Sequence, residues 1–348
     1  MIESTPEKIS HKGSGKVNSM SYVDLHQRIS REIDAEMEAA LEGLGSSPNV
    51  RNAVAALMRH QQLRHPLSVL PLLVHAVETG AFRPALPLSA VHVLWWTSAC
   101  YLDDLADSQS ALPAGDLGFD ESVLAAVITG NALPMRVIQA QPLPHEVRGA
   151  LTAELMDGWI AGTEGQLVDM GGDVRSATRD SVISIYRGKS GGPFGMITAM
   201  AAIWAKTSGE RIDLWREFGY VFGIIWQLFN DQEDILSGRN EDLQNGTVTY
   251  LLACAIEDAS PESRDRILTL HAASQNSERA RSELTHLLLA PDALRRYHDD
   301  LDAFRIQAHR LLDELDGDEL HTPVLRGLVD QSARMLLQAD LAPAEAAS

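Results

Sequence analysis

Cysteine is nearly absent from this chain. The two present, Cys100 and Cys254, both sit inside apolar segments, so no disulfide framework holds the fold and a reducing, cytoplasmic setting is expected. Basic residues are scarce as well. Lys and Arg number 29 against 48 Asp and Glu, a formal net charge of -19, and no dense Lys/Arg run offsets it, which argues against nucleic acid as a partner and against binding to an anionic membrane. Aromatic residues make up 5% of the chain and β-branched clusters are thin, which removes the usual material of strands. Long apolar runs are also missing. The best, Leu67 to Val77, is short, preceded by Pro66 and interrupted by Pro71, so no transmembrane segment is expected. The first twenty residues are polar and lack the apolar core of a signal peptide. Residues 1–20 read as a disordered leader and residues 342–348 as a disordered tail.

What remains is helical. Apolar residues make up 45% of 348 positions, enough for a sizeable core. Their spacing predicts helices over about 21–44, 50–78, 87–107, 119–141, 144–170, 177–207, 211–237, 245–257, 261–274, 278–289, 291–314 and 320–340. Gly171-Gly172 and Ser208-Gly209 fall where helices should end. No internal repeat and no Pro-, Gly- or Ser-rich linker divides the chain. The expectation is all-α: a single-domain helical bundle over 21–341 around a central apolar cavity.

Two acidic clusters stand out. Asp103-Asp104-Leu105-Ala106-Asp107 closes the apolar run from Val91 to Tyr101, and Asn230-Asp231-Gln232-Glu233-Asp234 closes the run from Phe222 to Phe229. In each, the first and last side chains share a helical face. Like charges gathered at the end of an apolar helix need a cation. Mg²⁺ takes hard oxygens from a few carboxylates and completes its shell with substrate phosphate. Two such helices facing one another could clamp a diphosphate, neutralise the charge that develops as a C–O bond breaks, and hold a hydrocarbon tail against an apolar wall. A lone acidic cluster is ordinarily a solvated helix end; two in the same context are not explained that way.

A third segment lies between them, Tyr186-Arg187-Gly188-Lys189-Ser190-Gly191-Gly192-Pro193. Arg187 and Lys189 inside an apolar helix invite an anionic partner, and the glycines and Pro193 should kink that helix toward the site. Lys189 alone would read as a snorkelling surface lysine; beside the glycines it reads as a ligand for diphosphate. Trp95 and Trp96 read first as core residues. His60, His65 and His75 lack metal-ligand spacing and read as structural or surface groups.

In their order along the chain these segments resemble the polyprenyl synthetase family, the trans-type isoprenyl diphosphate synthases, from about Arg59 to about Ala255. Asp103 to Asp107 resembles the first aspartate-rich motif, Gly165-Gln166 the mid-chain Gly-Gln pair, and Lys189-Ser190 the Lys-Thr pair. Trp226-Gln227-Leu228-Phe229-Asn230-Asp231-Gln232-Glu233-Asp234 is similar to the second aspartate motif, and Asp242 to Tyr250 to the segment after it. The resemblance implies Mg²⁺ on Asp103, Asp104, Asp107, Asp231 and Asp234, with the carbonyl oxygen of Asn230 as a further ligand. It implies Lys189, Gln227, Gln166 and Arg187 around an allylic prenyl diphosphate, and a homodimer. By the same analogy Ser98 and Ala99, the residues before the first motif, line the floor of the tail pocket. Both are small, and Trp95 and Trp96 could close the pocket one turn deeper, which favours a C15 or C20 chain.

The departures concern one half of the site. The family segment Gly-Gly-Lys-Arg-x-Arg-Pro, which helps hold isopentenyl diphosphate, corresponds here to Arg59 through Pro66, where glutamines replace the Lys-Arg pair and Arg64 alone remains. Ser108 to Leu117 contains no basic residue, and Thr247 stands where a Lys is expected. A second diphosphate would lack positive partners. The expectation is therefore a Mg²⁺-dependent prenyltransferase that passes the prenyl group to a small-molecule acceptor without charge, such as indole or another electron-rich ring. Chain elongation to farnesyl or geranylgeranyl diphosphate is the first alternative. A class I terpene cyclase is another, although Asp234 and Gly238 fit its second motif poorly. A non-catalytic partner subunit would have no need of both acidic clusters and Lys189.

Overall fold

Capping chemistry sets the first boundary. The Ser21 hydroxyl accepts the Asp24 N–H at 3.1 Å while the Asp24 carboxylate accepts the Ser21 N–H at 3.0 Å, a reciprocal box that satisfies two donors at the start of a helix. In the computed structural model, which describes residues 20–45, 47–61, 65–107, 117–257 and 259–338, sixteen α-helices follow. They are α1 Tyr22–Glu42, α2 Pro48–Gln61, α3 Leu70–Thr79, α4 Leu86–Asp107, α5 Phe119–Val127, α6 Leu133–Ala140, α7 His145–Met170 and α8 Arg179–Tyr186. The second half holds α9 Gly192–Trp204, α10 Gly209–Leu236, α11 Glu241–Asn245, α12 Tyr250–Glu257, α13 Pro261–Ser274, α14 Glu278–Leu288, α15 Pro291–Leu315 and α16 Thr322–Ser332. No strand occurs among the described residues. The fold is all-α, as expected. The expected leader and tail lie almost wholly outside the described residues.

Helix α9 is the axis of the bundle. Every residue from Ser190 to Ala202 is buried, which is what a helix apolar on all sides requires. Helices α3, α7 and α10 pack around it, and α15 packs behind α10. One hydrophobic core joins residues from Leu25 to Leu337.

Several expected helices are divided. The stretch 50–78 becomes α2, a 3₁₀ turn at Pro66–Val69 and α3, because prolines at 66 and 71 can only start a helical turn. The stretch 245–257 divides at Gly246, whose φ of +75° ends α11 in a left-handed cap. Helix α16 stops at Ser332 rather than near 340, because the chain beyond it runs over α10. There the Gln232 amide donates to Arg334 O at 3.2 Å and accepts Leu336 N–H at 2.8 Å. Two π turns widen otherwise continuous helices, Ile128–Ala132 between α5 and α6 and Arg187–Gly191 between α8 and α9. The expected kink at Gly191–Pro193 is thus a π turn, with Pro193 in the first turn of α9.

One expectation about length needs correction. Phe119–Ala140, carried through its π turn, is long and apolar enough to cross a membrane by length and composition. Its inner face packs on α4, while Phe119, Leu124 and Val127 are exposed on its outer face.

Candidate active site

Helices α4, α7 and α10 and the π turn that leads into α9 enclose one chamber of about 330 Å³. Its mouth is polar, lined by Asp103, Gln166, Lys189, Ser190, Gln227 and Asn230. Its depth is apolar, lined by Trp95, Trp96, Ala99, Trp159, Pro193 and Trp226. The ends of the two apolar runs therefore meet across a shared space.

Glycine brings the helices that close. A Cβ on Gly165 of α7 would collide with the Lys189 backbone nitrogen, and one on Gly223 of α10 with the Gly191 backbone. The π turn is thus held between two helices at backbone distance, and the pinch aims Lys189 into the mouth. Its ammonium lies 3.3 Å from Asp103 Oδ1 and 3.0 Å from Asp169 Oδ2. Arg187, two residues earlier, points elsewhere. It pairs with Glu217, its Nη1 donating at 3.0 Å, and its guanidinium stacks 4.3 Å from the Tyr220 ring centroid. Residues two apart on a helix do not share a face, so the structure does not bring Arg187 to the chamber.

The second cluster is divided between chamber and scaffold. Asn230 lines the chamber. Asp231 is buried behind it, with Oδ2 accepting the Tyr186 hydroxyl at 2.5 Å and Oδ1 accepting Gln227 Nε2 at 2.9 Å. Gln227 in turn accepts the Ser190 hydroxyl at 2.6 Å. The Tyr186 oxygen also accepts Tyr250 N–H at 3.0 Å, which ties the network to the start of α12. Asp234 accepts the N–H groups of Glu241 at 3.0 Å and Asp242 at 3.3 Å and so caps α11. The expected metal ligands Asp231 and Asp234 therefore hold neighbouring elements in this state, and neither lines the chamber. Burial raises the Asp231 carboxyl to about 6, against the opposing pull of Tyr186, Gln227 and Lys189. Burial and the charges of Asp231 and Asp234 raise Asp242 to about 8.

Of the other expected site residues, Asp104 is exposed at the end of α4. The Asp107 side chain and Arg64 lie outside the described residues, as does most of Ser108–Leu117. Ala99 is on the chamber wall, but Ser98 is not. Its hydroxyl donates to Ala126 O at 2.8 Å and it faces α5. Asp169 went unnoticed in the sequence, and Tyr186 and Asp242 lay inside segments that were singled out without being given a role of their own. Asp169 carried a usable signal, because it follows Gly165 by one helical turn and shares its face.

Among the described residues, no three His, Cys, Asp or Glu side chains come together as a ready-made metal site. What the mouth offers is Asp103, with Asp104 next to it in sequence, and the side-chain amide of Asn230. That donor set suits a hard cation that arrives with phosphate oxygens as its remaining ligands, and the residues present fit Mg²⁺ in that sense.

Comparison with known proteins gives a consistent result. A family model described as polyprenyl synthetase matches residues 87–288. A short chain isoprenyl diphosphate synthase from Methanothermobacter thermautotrophicus is 25% identical over 239 residues, 66% of this chain and 63% of that protein. The chain thus matches less than two thirds of that relative's length. Among solved structures, a polyprenyl synthetase from Streptomyces coelicolor superposes with a TM-score of 0.76 at 16% identity, over 88% of this chain and 98% of that one. A geranylgeranyl pyrophosphate synthase from Corynebacterium glutamicum, complexed with isoprenyl diphosphate and magnesium, superposes with a TM-score of 0.71 at 18% identity, over 91% of this chain and 99% of that one. At such identities the likeness to these structures is one of fold.

Proposed function

The chain belongs to the polyprenyl synthetase family, and from that premise we propose that it is a prenyltransferase that extends an allylic prenyl diphosphate with isopentenyl diphosphate, to farnesyl or geranylgeranyl length. The observation that carries this reading is the two-ended chamber. Asp103 and Lys189 stand at a polar mouth above a pocket walled by Trp95, Trp96, Ala99 and Pro193.

In this reading the donor diphosphate sits at the mouth and its hydrocarbon runs along α4. Lys189 contributes a point charge to the diphosphate, as the only cationic side chain among the described residues that line the chamber. Asp103, Asp104, Asp107 and Asn230 would hold Mg²⁺, which supplies charge neutralisation for the departing diphosphate. The apolar wall keeps water from the allylic cation until the acceptor alkene attacks. At ~1.5 Å of rise per residue, Trp96 lies about 10 Å from Asp103 along α4, so its indole stands at the depth of the pocket rather than at its mouth.

Transfer to an uncharged acceptor such as indole was the first expectation from the sequence. The relatives named above are described as diphosphate or polyprenyl synthases, so chain elongation is the better supported reading. The observation on the other side is the single cation at the chamber. One assay separates the readings: purified protein with Mg²⁺ and geranyl, farnesyl or geranylgeranyl diphosphate, each alone, with isopentenyl diphosphate, or with indole, followed by mass analysis. A diphosphate longer by five carbons supports elongation. A prenylated ring transfers the proposal to the second reading, and a hydrocarbon from donor alone indicates a cyclase. No turnover in any arm overturns the proposal.

A homodimer belongs to the same proposal. Met156, Ile160 and Leu167 on α7 are exposed, as are Leu124 and Val127 on α5, and a partner copy would cover such a face. Light scattering that returns the monomer mass at micromolar concentration would count against it.

A further inference from the structure

A second cavity, of about 800 Å³, lies between α1, α2, the 3₁₀ turn at Pro66–Val69 and α4. None of the described residues assigned above to diphosphate or metal lines it. Its body is apolar. Ile33 and Met37, one turn apart on α1, are buried in its lining, and Met58 of α2 and Val93 of α4 belong to the same lining.

The rim is acidic. Asp34 and Glu38, again one turn apart on α1, line the cavity and are exposed. Like charges at that spacing repel. Glu32 on the same helix is paired with Arg83 at 2.9 Å, whereas Asp34 and Glu38 enter no ion pair among the described residues. No Lys or Arg is among the described residues that line the cavity. Its two histidines do not supply the charge either. Burial holds the pKa of His26 below the usual range against the pull of Asp34, and burial with the neighbouring His92 holds His65 well below it.

The opposite kind of polarity lies in the buried part of the lining. His65 is 8% exposed and Ser68 1%. The Ser68 N–H donates to His65 O at 2.9 Å, and side chains three apart on a 3₁₀ turn fall on one side of it. His65 Nε2 and Ser68 Oγ are both buried without a hydrogen-bond partner, where buried polar atoms ordinarily have one. A hydroxyl both donates and accepts, so it can serve a serine hydroxyl and a neutral imidazole nitrogen in either tautomer.

We infer that this cavity binds an organic ammonium compound with an aliphatic body and a hydroxyl at its other end, the ammonium at Asp34 and Glu38 and the hydroxyl at His65 and Ser68. An amphiphile with an anionic head is repelled at the rim. A plain alkylamine satisfies the rim and leaves the two buried atoms unpaired. Such a site stands whatever reaction the chamber performs.

The test is calorimetric titration of the full chain at low salt with ω-amino alcohols of six, eight and ten carbons, and with the alkylamine and the ω-hydroxy carboxylate of matching length. The best amino alcohol is expected to bind more tightly than its alkylamine on the order of fivefold, the worth of a neutral hydrogen bond, although the alkylamine is the more apolar. The hydroxy carboxylate is expected not to bind. Asp34→Asn combined with Glu38→Gln changes only exposed side chains and should weaken the amino alcohol on the order of tenfold, with affinity for Mg²⁺-pyrophosphate unchanged. His65→Phe with Ser68→Ala should erase the preference for the hydroxyl. Ser30→Trp, which fills the cavity from α1, should abolish binding. The site is refuted if no amino alcohol binds at millimolar concentration, if the alkylamine or the hydroxy carboxylate binds as well as the amino alcohol, or if binding survives Ser30→Trp.

Discussion

Lys189 Nζ stands 3.0 Å from Asp169 Oδ2, an ion pair between the π turn and α7. The same ammonium reaches Asp103 on α4 at 3.3 Å, so one cation holds carboxylates from two helices where a diphosphate would bind. Replacing Lys189 by Gln removes a charge-assisted contact worth about 1.5–3 kcal/mol, and affinity for Mg²⁺-pyrophosphate should fall on the order of tenfold to a hundredfold. Asp169→Asn should weaken it less, since the lysine keeps its charge and its second partner. Calorimetric titration decides this, and an unchanged dissociation constant in Lys189→Gln would remove Lys189 from the diphosphate site.

Tyr186 joins the buried Asp231 to the first residue of α12 through one hydroxyl. Tyr186→Phe keeps the ring and leaves both partners short of a bond, at a cost of about 1–3 kcal/mol. Urea unfolding should show a lower midpoint with an unchanged slope. If the midpoint does not move, the hydroxyl is not what ties α10 to α12.

Two glycines of α7 make opposite predictions. A methyl on Gly165 meets the backbone that carries Lys189, whereas one on Gly149 meets nothing within 4 Å. Gly165→Ala should destabilise by about 1–3 kcal/mol through overpacking and displace Lys189 as well, lowering turnover beyond what the loss of folded protein explains. Gly149→Ala should stabilise by roughly 0.5–1 kcal/mol, the gain in helix propensity. Equal effects from both would mean that α7 does not need its close approach to the π turn.

The helical architecture was legible because apolar periodicity is a local signal, and the ends of the two apolar runs do meet at one chamber. Lys189 was legible from its glycines. What the sequence hid depends on distant partners. Asp231 and Asn230 are neighbours in the second cluster, yet the rotation of α10 sends one into a buried network and the other to the chamber. Asp231 is held by Gln227 one turn earlier and by Tyr186, far upstream. Arg187 and Lys189 looked equivalent by charge and are separated by helical phase. Asp169 was passed over because a single carboxylate near the end of a helix carries no pattern of its own. The division of α11 and α12 turned on the sign of φ at Gly246, and the early end of α16 on a glutamine in another helix.

The raised pKa of Asp242 has a sign that can be tested. Burial and the charges of Asp231 and Asp234 raise it to about 8 from an ordinary value of 3.8. Between those values the folded chain holds a proton that the unfolded chain has released, so stability falls as pH rises through this window and levels off above it. Asp231, raised to about 6, acts in the same direction. Asp242→Asn cannot ionise, and its backbone N–H can still cap against Asp234. With a chelator present to exclude divalent ions, the melting temperatures of wild type and variant should converge toward pH 4. They should diverge by pH 8.5, the variant being higher on the order of a few degrees. Added Mg²⁺ should narrow the gap by favouring the charged carboxylates of the wild type. A constant offset across the whole range would mean that ionising Asp242 is no burden to the fold, and that the crowding of acidic groups behind the chamber does not oppose folding in the absence of a cation.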